Sequence, residues 1–84
     1  MSDTKKVVVY SAVWCAFCKA AKQYFISKNV DFTEIDVEQD RSAAQHIVEK
    51  TGQMGIPVIE IGQYTIIGFD RPKIDAALAE LKLV

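Results

Sequence analysis

Cys15 and Cys18 are the chain's two cysteines, and they sit two residues apart in the stretch VWCAFCKAAK. Three chemistries use such a pair: a metal clip, a structural staple, or a dithiol that trades electrons with a disulfide. Zinc sites usually draw three or four ligands from the protein. The chain's single imidazole, His46, falls on the polar side of a predicted helix and reads as a surface histidine. No metal site is expected from one chain. A staple needs an oxidising compartment. Met1 to Lys6 is polar, and Val7-Val8-Val9 is far too short for a signal peptide or a membrane span. A cytoplasmic protein is therefore expected, and with it a working dithiol.

The placement of the pair supports that chemistry. Cys15 lies where a helix should begin, and there unpaired backbone N–H groups and the helix dipole favour a thiolate. Such sites bring a thiol pKa from about 8.5 down to as little as about 3.5–7.5. Cys18, three residues on, shares nearly the same helical face. It is placed to attack a mixed disulfide formed on Cys15, at high effective concentration. Lys19, one turn further, reads chiefly as a solvated lysine. Trp14 and Phe17 bracket the pair and would give a substrate an apolar landing surface. The competing reading is that Phe17 packs into the core and Trp14 fills space beside the sheet.

These residues need a scaffold, and the rest of the pattern supplies one. The 84 residues, half of them hydrophobic, make one domain over 1–84. A net charge of -1 offers no basic face for nucleic acid. Lys6 to Tyr10 (KVVVY) is β-branched and predicts a buried strand. Apolar Phe17, Ala21, Tyr24 and Phe25 predict a helix over Ala16 to Lys28, with Asn29 as its left-handed terminator. Asp31 to Asp36 predicts a strand. Asp40 can cap a second helix that has Ala44, Ile47, Val48 and Thr51 on one face and Gly52 after it. Pro57 to Ile61 and Tyr64 to Ile67 predict a hairpin about Gly62-Gln63. Asp70 can cap a last helix with Pro72 in its first turn and Ile74, Ala77, Leu78 and Leu81 as its buried stripe. The β-α-β opening calls for parallel strands and a right-handed crossover, and the hairpin adds antiparallel ones. A C-x-x-C between the first strand and first helix is the thioredoxin-like redox pattern.

From KVVVYS to the last helix the chain resembles a dithiol glutaredoxin. The resemblance rests on Cys15-Ala16-Phe17-Cys18, on Gly55-Ile56-Pro57 and on Gly68-Phe69-Asp70. It implies a thioredoxin-like α/β fold in the order β-α-β-α-β-β-α, with a four-stranded mixed sheet and helices on both faces. It also implies a dithiol-disulfide oxidoreductase that reduces protein or glutathione-mixed disulfides through Cys15 and Cys18. Pro57 would be cis, and the backbone of Ile56 would pair with a peptide or with glutathione. Trp14, Phe17, Gln53, Gly68 and Asp70 would complete that surface, Asp70 serving equally well as a plain helix cap.

The departures from the family pattern also carry information. Ala16 and Phe17 replace the Pro-Tyr of the usual C-P-Y-C, Ala12 stands where many members place a lysine, and Phe69 replaces the second glycine of a Gly-Gly turn. Phe69 is expected to crowd the glutathione subsite. Gly68-Phe69 followed by Arg71-Pro72 is similar to the redoxins that feed ribonucleotide reductase and are themselves reduced by thioredoxin reductase. The resemblance thus implies disulfide-containing proteins as partners, glutathione or a thioredoxin reductase as electron source, and no tightly bound cofactor. It also leaves a [2Fe–2S] cluster shared between two chains as an alternative. A monomer that binds neither nucleic acid nor membrane is expected.

Overall fold

The computed structural model describes residues 7–52 and 55–82. Strand β1 (Val7–Ser11) leads to helix α1 (Ala16–Ser27), strand β2 (Thr33–Asp36), helix α2 (Arg41–Thr51), strands β3 (Val58–Ile61) and β4 (Tyr64–Ile67), and helix α3 (Arg71–Glu80). The sheet order is β2-β1-β3-β4. β1 runs parallel to β2 and antiparallel to β3, which is antiparallel to β4. This is the mixed, four-stranded thioredoxin-like arrangement expected from the pattern.

Alternation along the strands divides the core between two faces. Val7 and Val9 meet Ile59 and Ile61 on one face, where Ala21 and Phe25 of α1 and Ile74, Ala77 and Leu78 of α3 cover them. Val8, Tyr10 and Val58 face the other way, under Ala43 and Ile47 of α2. Phe25 is fully buried, and removing a side chain of that size from water contributes about 1.5–3 kcal/mol. A domain this small depends on a few such residues.

Each helix begins with a side chain that accepts from its first turn. Asp40 accepts from Ala43 N and Asp70 from Lys73 N. The Ser42 hydroxyl, and after it the Ala43 N–H, hold the Asp40 carboxyl below its ordinary range. Asn29 adopts φ 60° just past α1, as its type and place predicted. Gly52 closes α2 at φ 79°, a left-handed conformation that costs glycine little.

Several expectations shift in detail. The second strand starts at Thr33 rather than Asp31, and Pro57 stands ahead of β3 rather than within it. On α2 the fully covered residues are Ala43 and Ile47, with Ala44 and Val48 half-buried. On α1 the buried stripe is Cys18, Ala21 and Phe25, while Phe17 is exposed. The helix enters the sheet face through Cys18, which turns Phe17 to the outside.

His46, expected on a solvated face, reaches back to the sheet. Its Nε2 lies 2.8 Å from Glu60 Oε2, and its ring stands 5.7 Å from that of Tyr10. The cause is Glu60, a charged residue on the face of β3 that α2 covers. Such a group must find partners when water is thinned out around it, and it takes Tyr10 Oη at 3.1 Å as well.

Candidate active site

The strand registers gather the site residues at one end of the sheet. Ser11, at the end of β1, pairs in register with Asp36 at the end of parallel β2. Tyr10 pairs with Val58, the first residue of antiparallel β3, and Val58 with Ile67, the last of β4. The segments beyond these strand ends therefore share one edge: Ala12 to Cys15, Val37 to Asp40, Gly55 to Pro57, and Gly68 to Asp70. Gly68 N donates to Pro57 O at 2.8 Å, which ties the last two segments together. Gly68 has φ 82°, and the space beside its Cα is open. The glycine is required by backbone conformation rather than by crowding.

Cys15 is the N-terminal cap of α1, and the Cys18 amide donates to its sulfur at 3.1 Å. The chain reaches it through a turn in which Cys15 N donates to Ala12 O at 3.1 Å. An N–H aimed at sulfur, with the positive end of a helix behind it, stabilises Cys15 as an anion whenever the pair is reduced. In this structure Cys15 and Cys18 are joined as a disulfide, with Cα atoms 5.2 Å apart, well inside the range a disulfide spans. Cys15 keeps 7% of its surface and Cys18 none. Cys15 is thus the more accessible residue of the pair.

Apolar surface surrounds this opening. Val13, Trp14 and Phe17 are all strongly exposed, and Trp14 is held by a 2.6 Å hydrogen bond from Nε1 to Glu38 Oε2. The Ile56–Pro57 bond is cis, as the resemblance implied. Pro57 is buried and Ile56 half-buried. Gln53 lies outside the described residues. Phe69 turns its ring onto Tyr24, edge-on with centroids 5.8 Å apart, and packs against the α1–α3 core. The same Tyr24 ring carries the Arg71 guanidinium 4.8 Å from its centre. Asp70 is engaged as the α3 cap.

Among the described residues no group of three or more His, Cys, Asp or Glu side chains gathers in metal-binding reach. An iron–sulfur cluster typically takes four thiolates, and one chain has two. The residues of a single chain do not make such a centre. No helix among the described residues is long and apolar enough to cross a membrane.

A thioredoxin-like sheet with a C-x-x-C pair capping its first helix defines a class of thiol-disulfide proteins. Within it, the family model for Glutaredoxin matches residues 7–66. A glutaredoxin-like 8.6 kDa protein from the rubredoxin operon of Clostridium pasteurianum is 36% identical over 69 residues, covering 82% of this chain and 92% of that one. The N-acetyl-S-hydroxy-L-cysteine reductase of Bacillus subtilis is 36% identical over 85 positions, 94% of this chain and 89% of that one. Among solved structures, the glutaredoxin-like NrdH-redoxin of Escherichia coli, described with a thioredoxin-like activity profile, aligns with a TM-score of 0.77 and 25% identity, over 84% of this chain and 92% of that one. The chain belongs to the glutaredoxin family. It is a thiol-disulfide oxidoreductase whose redox-active dithiol is Cys15–Cys18.

Proposed function

We propose that the protein reduces protein and small-molecule mixed disulfides, with Cys15 as nucleophile and Cys18 as resolving thiol. The observation that carries this is the Cys18 N–H on the Cys15 sulfur at the mouth of the site, with the Cys18 side chain fully buried behind it. The Cys15 thiolate attacks one sulfur of the substrate, forms a mixed disulfide and expels the first thiolate, which takes a proton from water. Cys18 then loses its proton and attacks the Cys15 sulfur. The Cys15–Cys18 disulfide forms and the second substrate thiol leaves. Two electrons pass from the protein to the substrate. The substrate lies on Trp14, Phe17 and the main chain at Ile56, beside Pro57, where backbone hydrogen bonds hold it without demanding particular side chains.

A second reading concerns the electron source. Ala12, at the position where many glutaredoxins carry a lysine, is a buried uncharged residue, and Arg71 is stacked on Tyr24. Both favour a disulfide reductase of the thioredoxin-reductase kind over glutathione as the reductant. The test follows NADPH loss with hydroxyethyl disulfide as final acceptor, using either glutathione plus its reductase or thioredoxin reductase alone. Turnover only with thioredoxin reductase supports the second reading. Fast turnover with glutathione rejects it and favours glutathione as the reductant. No turnover with either, and none with dithiothreitol, would overturn the reductase function itself.

A further inference from the structure

The exchange of disulfides has no chemical use for Glu38, yet the fold fixes it at the mouth of the site. It lies on the loop between β2 and α2, and its Oε2 takes the hydrogen bond from Trp14 Nε1 at 2.6 Å. Trp14 immediately precedes Cys15. The loop backbone is anchored on both sides of Glu38. Val37 N donates to Ser11 O at 2.9 Å, Glu38 N to Asp36 Oδ1 at 2.8 Å, and Asp40 N to Asp36 O at 3.0 Å. The carboxylate is therefore aimed.

An indole N–H shares the carboxylate's hydrogen-bonding capacity without cancelling its charge. Among the described residues no cation lies within ion-pairing distance of Glu38. The segments around Cys15 add little to offset it. Ala12-Val13-Trp14, Ala16-Phe17 and Gly55-Ile56-Pro57 carry no charged side chain. Asp40 caps α2, and Asp70 faces Lys73 at 3.9 Å. Arg71 is stacked on Tyr24, which leaves as competing cations Lys19 on α1 and Arg41, three residues beyond Glu38 at the start of α2, neither of them ion-paired with Glu38.

We propose that Glu38 is a specificity-determining residue: it sets the site against disulfides with carboxylates near the sulfur and in favour of neutral or cationic ones, such as a cysteine in a basic stretch of protein. This rests on the disulfide-reductase reading and names the substrate class within it. Between unit charges about a Debye length apart at the surface, the effect on rate is about two- to fivefold at low salt, and screening erases most of it.

The experiment is a single turnover without any recycling enzyme. Reduced protein is mixed with cystamine (cationic), hydroxyethyl disulfide (neutral) or 3,3′-dithiodipropionate (anionic), and oxidised protein is counted by mass after acid quench. Each event converts protein dithiol and R–S–S–R to protein disulfide and two R–SH. Every rate is divided by that of dithiothreitol with the same disulfide, which removes the intrinsic reactivity of the leaving thiol. The wild type should then prefer the cationic over the anionic disulfide. Glu38→Gln should lower that ratio about two- to fivefold at low salt, and Glu38→Lys should push it further, through inversion. Raising the salt to about 0.5 M should bring the three proteins together. A ratio unmoved by both substitutions overturns the proposal, as does a wild-type preference for the anionic disulfide. Failure of the wild type to react with all three overturns the reductase reading, and this inference with it.

Discussion

The Cys18 amide hydrogen points at the sulfur of Cys15 across 3.1 Å, so one cysteine's backbone prepares the other's side chain. Under the proposed function that asymmetry gives the two thiols different work. Cys15→Ser should bring disulfide reduction to background. Cys18→Ser should keep the first attack and accumulate a mixed disulfide on Cys15, visible by mass under non-reducing conditions. Alkylation should separate the thiols as well. Lowering a thiol pKa by two units from about 8.5 raises the thiolate fraction at pH 6.5 from about 1% to about 50%. Cys18→Ser should thus react with iodoacetamide tens of times faster than Cys15→Ser. Equal, slow alkylation of both variants would remove the case for an activated Cys15.

Asp70 is positioned to answer whether it serves the helix or a ligand. Its carboxylate accepts from Lys73 N at 3.3 Å, and Asn supports that cap as well as Asp does. Asp70→Ala should lose about 1 kcal/mol, or roughly 4–8 °C in Tm for a domain of this size. Asp70→Asn should melt like the wild type. If Asp70→Asn kept its Tm but raised the glutathione concentration needed for turnover, the charge would be holding glutathione, and capping alone would not account for the residue.

Local pattern exposed most of the fold. Strand alternation, the caps Asp40 and Asp70, and the punctuation at Asn29 and Gly52 are short-range signals, and each element appears in the order they give, with β2 and β3 starting later than expected, at Thr33 and Val58. From sequence Phe17 reads as a landing surface, with core packing as the competing reading, because helical spacing alone does not say which side of α1 meets the sheet; in the structure it is exposed. Cys18 settles that by packing inward. His46 keeps 40% of its side chain exposed, as a surface histidine, but local pattern does not give its contact with Glu60, since Glu60 lies on a strand that only the tertiary structure brings beneath it. Signs were present in Val58-Ile59-Glu60-Ile61, whose alternation puts a carboxylate on a covered face. The Trp14–Glu38 bond had no such sign. It depends on where the β2–α2 loop leaves the sheet relative to β1, a relation between segments 24 residues apart.

Tyr10 gives the alkaline limit of stability. Its phenol is pushed up to about 12, first by burial and then by the Glu60 carboxylate that accepts its hydrogen. A raised value means the fold prefers the neutral phenol. The stabilisation is full below the unfolded value of about 10 and is lost as pH climbs through about 12. Absorbance at 295 nm should show a tyrosine ionising near pH 12 that is missing in Tyr10→Phe. That variant should be less stable by about 1 kcal/mol near neutrality, and its deficit should close between about pH 10 and 12. A deficit constant across that range would detach the hydroxyl from the Glu60 carboxylate.

At the acid end the corresponding group is Glu34. Its Oε2 accepts from Lys22 Nζ at 2.6 Å and from Ser11 Oγ at 2.9 Å. The Lys22 hydrogen bond first, then that of Ser11, holds the carboxyl below its ordinary value. Here the sign reverses: the stabilisation is complete above the unfolded value of about 4.3 and fades as pH falls through the lower folded one. The ion pair is largely solvated, and on its own it contributes less than about 1 kcal/mol. Ser11 matters more, because it is fully buried and a buried hydroxyl without a partner costs about 1–3 kcal/mol. Glu34→Gln, which retains an acceptor, should therefore cost less than Glu34→Ala at pH 7. Urea unfolding at pH 7 and again near pH 3 should show both deficits shrinking in acid, with the alanine variant still the weaker of the two. If the two variants were equally destabilised, the Ser11 hydroxyl would not depend on Glu34. If neither deficit changed with pH, the carboxylate's charge would contribute nothing to holding β1 and α1 together.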